Sequence, residues 1–490
     1  MKSLGILLRN AIEKSGYTIY RAANISGINR TTLQKVLSDD RSASQELLDQ
    51  LLPILKLSPS EEKDIHDLFE MSQYGETLYH QRRYIKEILE SMSHLDLLPQ
   101  KTGGAFQRLM LYESSLIPFD QQLIHGIYNV EHFLGALLNR ECQHSSAKIC
   151  MNIPGNLPVL NHLFIHNISY YNKRKCLTIQ HIISLVKTPE NCSNSLINLD
   201  ILSNILPFTI FWDLNYKIYY YYCNELISDT LNTAFPYYIL FSDVVVLLNS
   251  DGTTALPVCD PTVLRYFQNL FAESLKQSTG LITDCANPEE ILNYLISADK
   301  EPFSHNTIEF QPCLTTFLTE NMIRKYARPD IENREHLIQA VIYRAMQLAH
   351  LEKRICIFSQ TGLASFIQNG ILSDFPTGYI LPLEKPDQIE LLESLYDACL
   401  ANKVTFRMAN PIDFSFSEHL TCTLRNNWGI DFNGFDSSGG FFRYIHITEH
   451  TILEAFEDFF QYILDSKLIY TKEETLSEIR TGINYLKSNS

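Results

Sequence analysis

The sequence predicts a multidomain chain with an all-α N-terminal domain and a large α/β (α+β) body, and two similar α/β units are expected within that body. Three observations predict this. Residues 4–36 carry helical hydrophobic spacing, punctuated by capping residues and one glycine turn. The charge balance changes sign after the first sixty residues. Downstream, a strand-like run, a polar Gly-bearing loop and an apolar helix pattern recur. The expected boundaries are 1–72 for the helical domain, 73–104 for a helical connector and linker, 105–300 for the first α/β unit and 301–490 for the second.

At 490 residues, two or three domains are expected rather than one core. The composition, 45% hydrophobic and 20% charged, is that of a folded protein. The 26 Tyr and 27 Phe call for large cores or a ring-lined pocket or interface. A formal charge of −16 argues against non-specific nucleic-acid binding by the whole molecule. Yet residues 1–60 hold eight Lys/Arg against five Asp/Glu, and the remainder holds 32 against 51. A small basic module on an acidic body suits a site-specific DNA binder whose body stays off the duplex. Eleven cysteines occur without a Cys-x-x-Cys pair, which fits a reducing compartment. No signal segment opens the chain and no apolar run is long enough to span a bilayer, so a soluble cytoplasmic protein is expected.

The first helix is expected from Leu4, Leu7, Leu8, Ala11 and Ile12, ending near Gly16. Thr18 is an N-cap for the second, whose Ala22 and Ala23 are small enough for close helix crossing. Gly27 supplies the left-handed reversal and Ile28 plugs the core beneath it. Asn29 caps the third helix. Leu33 and Val36 face inward, and Arg30, Thr31, Thr32, Gln34 and Lys35 face outward. Those outward types match base edges and phosphates. Ser44 to Leu57 gives a fourth helix that Pro53 should kink or end, and Ser58-Pro59-Ser60-Glu61-Glu62 opens a fifth.

Residues 3–72 resemble the Xre/Cro-type (lambda-repressor-like) helix-turn-helix regulators. The matching residues are Thr18, Ala23, Gly27, Ile28, Asn29, Leu33 and Val36, at the family's spacing. The resemblance implies double-stranded DNA as partner, a two-fold operator and a homodimer. It assigns operator contacts to Arg30, Thr31, Thr32, Gln34 and Lys35, with Thr18 and Asn29 at the helix starts. Two positions depart from the family pattern: Ile19 stands where Gln is common, and Leu37 where Glu is.

A break is expected at Tyr74-Gly75-Glu76, followed by a helix with a basic, aromatic stripe of Tyr79, Arg82, Arg83, Tyr84 and Lys86, then a linker over 94–104. In the body, Lys148-Ile149-Cys150 and its loop resemble Arg354-Ile355-Cys356 and its loop. Val244–Leu248 with its following helix resembles Trp428–Phe432 with its own. Units at roughly 145–280 and 350–470 fit these markers. Their element order is similar to half of a phospholipase-D-like fold, a resemblance that implies a His-x-Lys motif in each half. None of the fifteen histidines has Lys two residues on. A two-lobed, periplasmic-binding-protein-like body with a ligand in the cleft is the rival architecture.

No phosphate-loop, dinucleotide, nucleophile-elbow or zinc-protease motif occurs, and the sequence calls for no cofactor and no metal. Cys142, His144 and Cys150 lack zinc spacing, and His162 and His166 lack a third partner. The candidate ligand-binding residues are Asn152, Gly155 and Asn156 in one loop and Ser359, Gln360, Thr361 and Gly362 in the other, each ahead of a helix start. Tyr219 to Tyr222 should alternate across a strand. The function expected is a non-enzymatic, sequence-specific transcription regulator with a body that senses an unknown small-molecule or protein effector and dimerises. The alternatives are a tethered phosphodiesterase or nuclease and an interaction scaffold.

Overall fold

The computed structural model describes residues 3–95, 122–160 save 145, 163, 177–187, 193–210, 215–223, 234–285, 290–294 save 292, 305–425 save 352–353 and 376–377, 428–435 and 442–489. It divides into two units, Met1–Arg83 and Tyr84–Ser490. The chain is multidomain, with an all-α N-terminal domain and an α/β body.

The first unit contains α1 (Leu4–Lys14), α2 (Ile19–Ser26), α3 (Arg30–Leu37), α4 (Gln45–Leu51), α5 (Pro59–Tyr74) and the start of α6 (Glu76–Leu95). Each boundary has a local cause. Thr18 accepts from the Arg21 amide, and Asn29 accepts from Thr31 and Thr32. Gly27 ends α2 at φ +73°, a conformation that disfavours any side chain. Pro53 turns the end of α4 into a short 3-10 segment, Leu52–Ile54. Ser58 and Glu61 form a capping box for α5. Leu8, Ala22, Leu33, Leu48 and Leu51 lose all solvent contact in this unit's own core.

The second unit holds two sheets. Its strands are β1 (Ile124–His125), β2 (Ala147–Asn152), β3 (Leu177–Val186), β4 (Asn215–Cys223), β5 (Tyr237–Leu240), β6 (Val245–Leu248), β7 (Thr254–Val258), β8 (Thr279–Gly280), β9 (Ile282–Cys285), β10 (His305–Glu309), β11 (Arg354–Phe358), β12 (Thr405–Met408), β13 (Leu420–Arg425), β14 (Gly429–Phe435) and β15 (Phe442–Ile447). The first sheet runs β1-β7-β6-β5-β2-β3-β4-β8, and the second β12-β11-β10-β13-β14-β15-β9. Read from its own first strand, each sheet has the same plan. A three-stranded parallel run (β2-β3-β4; β10-β11-β12) is joined at its first strand to an antiparallel meander (β5-β6-β7; β13-β14-β15). In each, a short opening strand (β1; β9) closes the far edge antiparallel to the meander's last strand.

The body therefore repeats one strand plan in two sheets, with a register different from the one expected. The second repeat opens at β9, Ile282, ahead of the expected boundary at 300/301 and well ahead of 350. Of the two marker pairs, Val244–Leu248 and Trp428–Phe432 do fall on the equivalent strands β6 and β14. The other pair slipped by one strand: Lys148–Cys150 lies on β2, whose counterpart is β10, whereas Arg354–Cys356 lies on β11. Both segments read as a basic residue, an isoleucine and a cysteine before a Gly-bearing loop and a helix, so the local pattern could not distinguish first strand from second.

The helices include α7 (Ile127–Glu141), α8 (Ser193–Ile210), α9 (Pro261–Lys276), α10 (Glu320–Tyr326), α11 (Arg334–Ala349), α12 (Gln360–Asn369), α13 (Lys385–Leu400), α14 (His450–Leu464) and α15 (Lys472–Ser488). Crossover helices cover one face of each sheet, and the helix after the meander covers the other. Thus α8 shares a core with Ile149, Ile179 and Ile183, while Phe271 of α9 packs behind with Ile182, Tyr238 and Val245. In the second repeat, α13 packs with Cys356, Phe358 and Phe406, while Phe456, Phe459 and Phe460 of α14 fill the reverse face beside Ile430 and Phe432. One core joins α8 to α14, and so joins the repeats. Asn198 of α8 donates to the Val186 carbonyl (3.0 Å) and to Thr451 Oγ1 of α14 (2.9 Å). The 96–104 part of the expected linker, and His162 and His166, lie outside the described residues.

Candidate nucleic-acid interface and a buried polar cavity

Helix α3 places its sequence-predicted residues on two sides. Leu33, Val36 and Leu37 are buried, which explains why position 37 is apolar here. Arg30, Thr31, Gln34 and Lys35 are exposed and Thr32 is half-buried. Thr18 and Asn29 spend their side chains as caps. The Arg30 guanidinium lies 5.7 Å from the ring centre of Tyr20, itself 58% exposed, so arginine and tyrosine form one solvent-facing edge across the turn. Among the described residues neither Arg30 nor Lys35 enters an ion pair, so both charges face outward uncompensated. Ile19, at the other departure, packs against the core instead of presenting a polar group.

The basic, aromatic stripe of α6 is consumed internally. Tyr79 is buried, Arg82 stacks over Tyr74 at 4.4 Å, Tyr84 Oη reaches Asp200 at 3.4 Å, and Lys86 pairs with Glu90 at 3.3 Å.

The two loops expected to hold a ligand are likewise structural. Asn156 Nδ2 donates to Asp200 (2.7 Å), and Asn152 ends strand β2. Ser359 Oγ caps α12 by accepting from the Gly362 amide (2.8 Å) and donates to the Phe310 carbonyl (2.9 Å). A Cβ at Gly362 would lie 1.7 Å from that carbonyl oxygen, so glycine is required by close approach. Neither loop lines the buried polar cavity; Ser359 is spent on a cap and Asn156 on Asp200. The four-tyrosine run does alternate: Tyr219 and Tyr221 pack on one side of β4, and Tyr220 and Tyr222 on the other, with Tyr222 Oη donating to Glu449 at 2.6 Å.

Sequence reasoning missed a different site. The crossover face of the first sheet is apolar save for His181, whose ring is satisfied by Tyr216 and the Ile153 carbonyl, but the same face of the second carries His305, Thr307 and Glu309 on β10, Thr423 and Arg425 on β13, and Asp431 and Asn433 on β14. All but Asn433 are buried. Alternation explains the arrangement: Ile308, Leu424, Ile430 and Phe432, their neighbours in sequence, turn to the shared core. Helices α10 and α11 and the loop residues 373–375 and 379–380 roof this polar face and leave a cavity of about 150 Å³.

Its electrostatics follow from burial. Glu309 accepts from Thr307 Oγ1 (2.8 Å) and from Cys356 Sγ (3.1 Å), and burial, then Asp374, raises its carboxyl to about 8. Asp374 accepts from Thr315, and burial raises it too. Burial, then Arg425, Arg354 and Arg344, keeps His305 neutral. Burial and the neighbouring acids push the thiols of Cys313 and Cys356 well up, so both stay protonated and non-nucleophilic. Arg425 pairs with Asp431, whose other oxygen meets His446 Nδ1 at 2.7 Å. This arrangement can bind and orient; its groups are poorly set for nucleophilic attack. Among the described residues no group of acids, histidines and cysteines is placed to hold a metal ion, and no helix is long and apolar enough to cross a membrane.

No family model matches the chain, and no curated protein matches it. Among solved structures it is similar to the crystal structure of phosphatidylserine synthase from Haemophilus influenzae Rd KW20. The TM-score is 0.26, with 8% identity, covering 75% of this chain and 92% of that one.

Proposed function

We propose that the chain is a sequence-specific DNA-binding transcriptional regulator that inserts α3 into the major groove. One observation carries the reading: a capped helix, anchored by Leu33 and Val36, turns Arg30, Thr31, Gln34 and Lys35 to solvent as a single edge. Arginine pairs with guanine and glutamine with adenine, while threonine and lysine reach thymine methyls and phosphates. The capped start of α3 favours a phosphate oxygen. The charge distribution supports the same reading, since a basic module on an acidic body confines contact to the module.

The body senses an effector and brings two modules to a two-fold operator. An effector regulates by binding the DNA-competent arrangement more tightly than the other. The protein works in the cytoplasm, without cofactor. Selection of genomic fragments on the purified chain tests the reading, with Arg30→Ala/Gln34→Ala as control. Enrichment of a palindromic site that the control loses is expected. Equal recovery by both proteins rules the reading out.

A further inference from the structure

We propose that the cavity over the second sheet is a binding site for a small organic carboxylate with a compact apolar body. Four observations converge.

The first is size. A cavity of about 150 Å³ is of the order that admits a benzene-sized guest, so the ligand has roughly six to ten non-hydrogen atoms.

The second is polarity. One wall is apolar, built by Ile323 of α10, Leu337, Ile338 and Val341 of α11, and Phe375 and Ile380 of the loop. The opposite wall is the polar sheet face. A ligand with one charged end and one apolar end matches both at once.

The third is charge. Three guanidinium groups, Arg334, Arg344 and Arg425, line the cavity against two carboxyls, Glu309 and Asp374, and Asp431 behind the wall offsets Arg425. Glu309 holds its proton at neutral pH and so faces the cavity as an uncharged acid. The surplus is positive, and guanidinium is suited to a carboxylate.

The fourth is unmet hydrogen-bonding capacity. His305 Nε2 and Asn433 Oδ1 are buried, line the cavity and lack a partner within the chain. His305 is only 4% exposed. Orphaned buried polar atoms are rare in folded proteins, and two on one cavity wall await a ligand that supplies partners.

The repeated plan sharpens the inference. The equivalent face of the first repeat is filled by Ile149, Met151, Ile179, Ile183 and Ile239, and its one buried histidine, His181, has both ring nitrogens partnered. A sheet that needed only a stable core would have kept that solution. The second repeat carries the costlier buried polar face, which binding would offset.

Ligand binding here does not depend on DNA recognition; only its coupling to operator affinity rests on the function proposed above. Calorimetry on the full chain, with benzoate and 4-methylpentanoate as probes, tests the site. Benzamide and inorganic phosphate serve as the neutral and non-apolar comparisons. Saturable binding of a carboxylate at one site per chain is expected, with benzamide and phosphate far weaker. Arg344→Met should weaken the carboxylate roughly tenfold to a hundredfold, and Ile338→Phe, which fills the cavity, should abolish binding while the chain still unfolds cooperatively. Absence of saturable binding by either carboxylate at millimolar concentration overturns the proposal. So does benzamide equalling benzoate, or unchanged affinity in Ile338→Phe. A chain that binds benzoate but selects no DNA retains this site and loses only the regulator.

Discussion

Arg425 and Asp431 form an ion pair across the neighbouring strands β13 and β14, with 1% and 0% of their side chains exposed. The pair is the rear support of the cavity: Arg425 lines it, and Asp431 is held from behind by His446. Removing one partner strands a buried charge, so Asp431→Leu should cost about 3–5 kcal/mol in urea unfolding. The double variant Arg425→Met/Asp431→Leu should lose much less than the two single losses combined. Additivity within roughly 0.5 kcal/mol would mean the two groups do not interact.

Glu309 sets an alkaline dependence. Thr307, Cys356, Arg354 and Asp374 surround it, and burial raises its carboxyl from 4.5 to about 8. Above 4.5 the unfolded chain has released this proton and the folded chain has not. Stability therefore falls as pH rises from about 4.5 to about 8, and flattens above. Glu309→Gln keeps a neutral donor in place. Its melting temperature should match the parent near pH 5 and exceed it at pH 8; parallel curves would show that Glu309 ionises normally.

Three buried histidines, His181, His305 and His446, set the acid dependence. Burial lowers His181 and His446 to about 4, Arg425 adding to the effect at His446. His181 Nε2 meets the Ile153 carbonyl at 2.8 Å and Nδ1 meets Tyr216 Oη at 2.6 Å, which fixes a neutral ring. Below 6.5 the unfolded imidazoles take up protons that the folded ones refuse, so stability is lost as pH falls from 6.5 to about 4. His446→Gln should remove about a third of that slope in a urea midpoint series.

Two glycines should respond differently to alanine. Gly27 sits at φ +73° with no atom near an added Cβ, so Gly27→Ala should cost about 1 kcal/mol. Gly362→Ala drives a methyl into the Phe310 carbonyl and should cost several times as much. Similar losses in thermal unfolding would contradict the packing of α12 against β10.

On an operator, Lys35→Ala should weaken binding to all sequences alike and reduce the salt slope by about 1. Arg30→Ala should cost about 1–3 kcal/mol and relax preference at one base position. The reverse outcome, measured by competition titration at fixed salt, would exchange the roles of the two residues.

Much of the N-terminal unit was legible because its signals are local. Thr18, Gly27, Asn29 and Ser58 act through bonds to residues two to four positions away, or through their own φ, and each boundary fell where the residue type dictates. The repeat plan was half legible. Antiparallel β6 and β14 carry turn residues that mark them, but β2 and β11 share a basic-Ile-Cys pattern that does not say which strand of the run each is.

The sequence by itself determined the helical module, the outward edge of α3, the charge asymmetry and the alternation of each strand. What only the tertiary structure decided is where the polar half of that alternation goes. His305, Thr307, Glu309, Thr423 and Arg425 read like the solvent side of ordinary strands, because period two records which residues share a face and not what covers it. The covering is supplied by α10 and α11 and by loop residues 373–375 and 379–380, and the opposite charges by Asp374 and Asp431. Desolvation then turns an unremarkable polar face into a cavity of shifted acids and buried guanidinium groups, because charge costs most where several distant segments together exclude water.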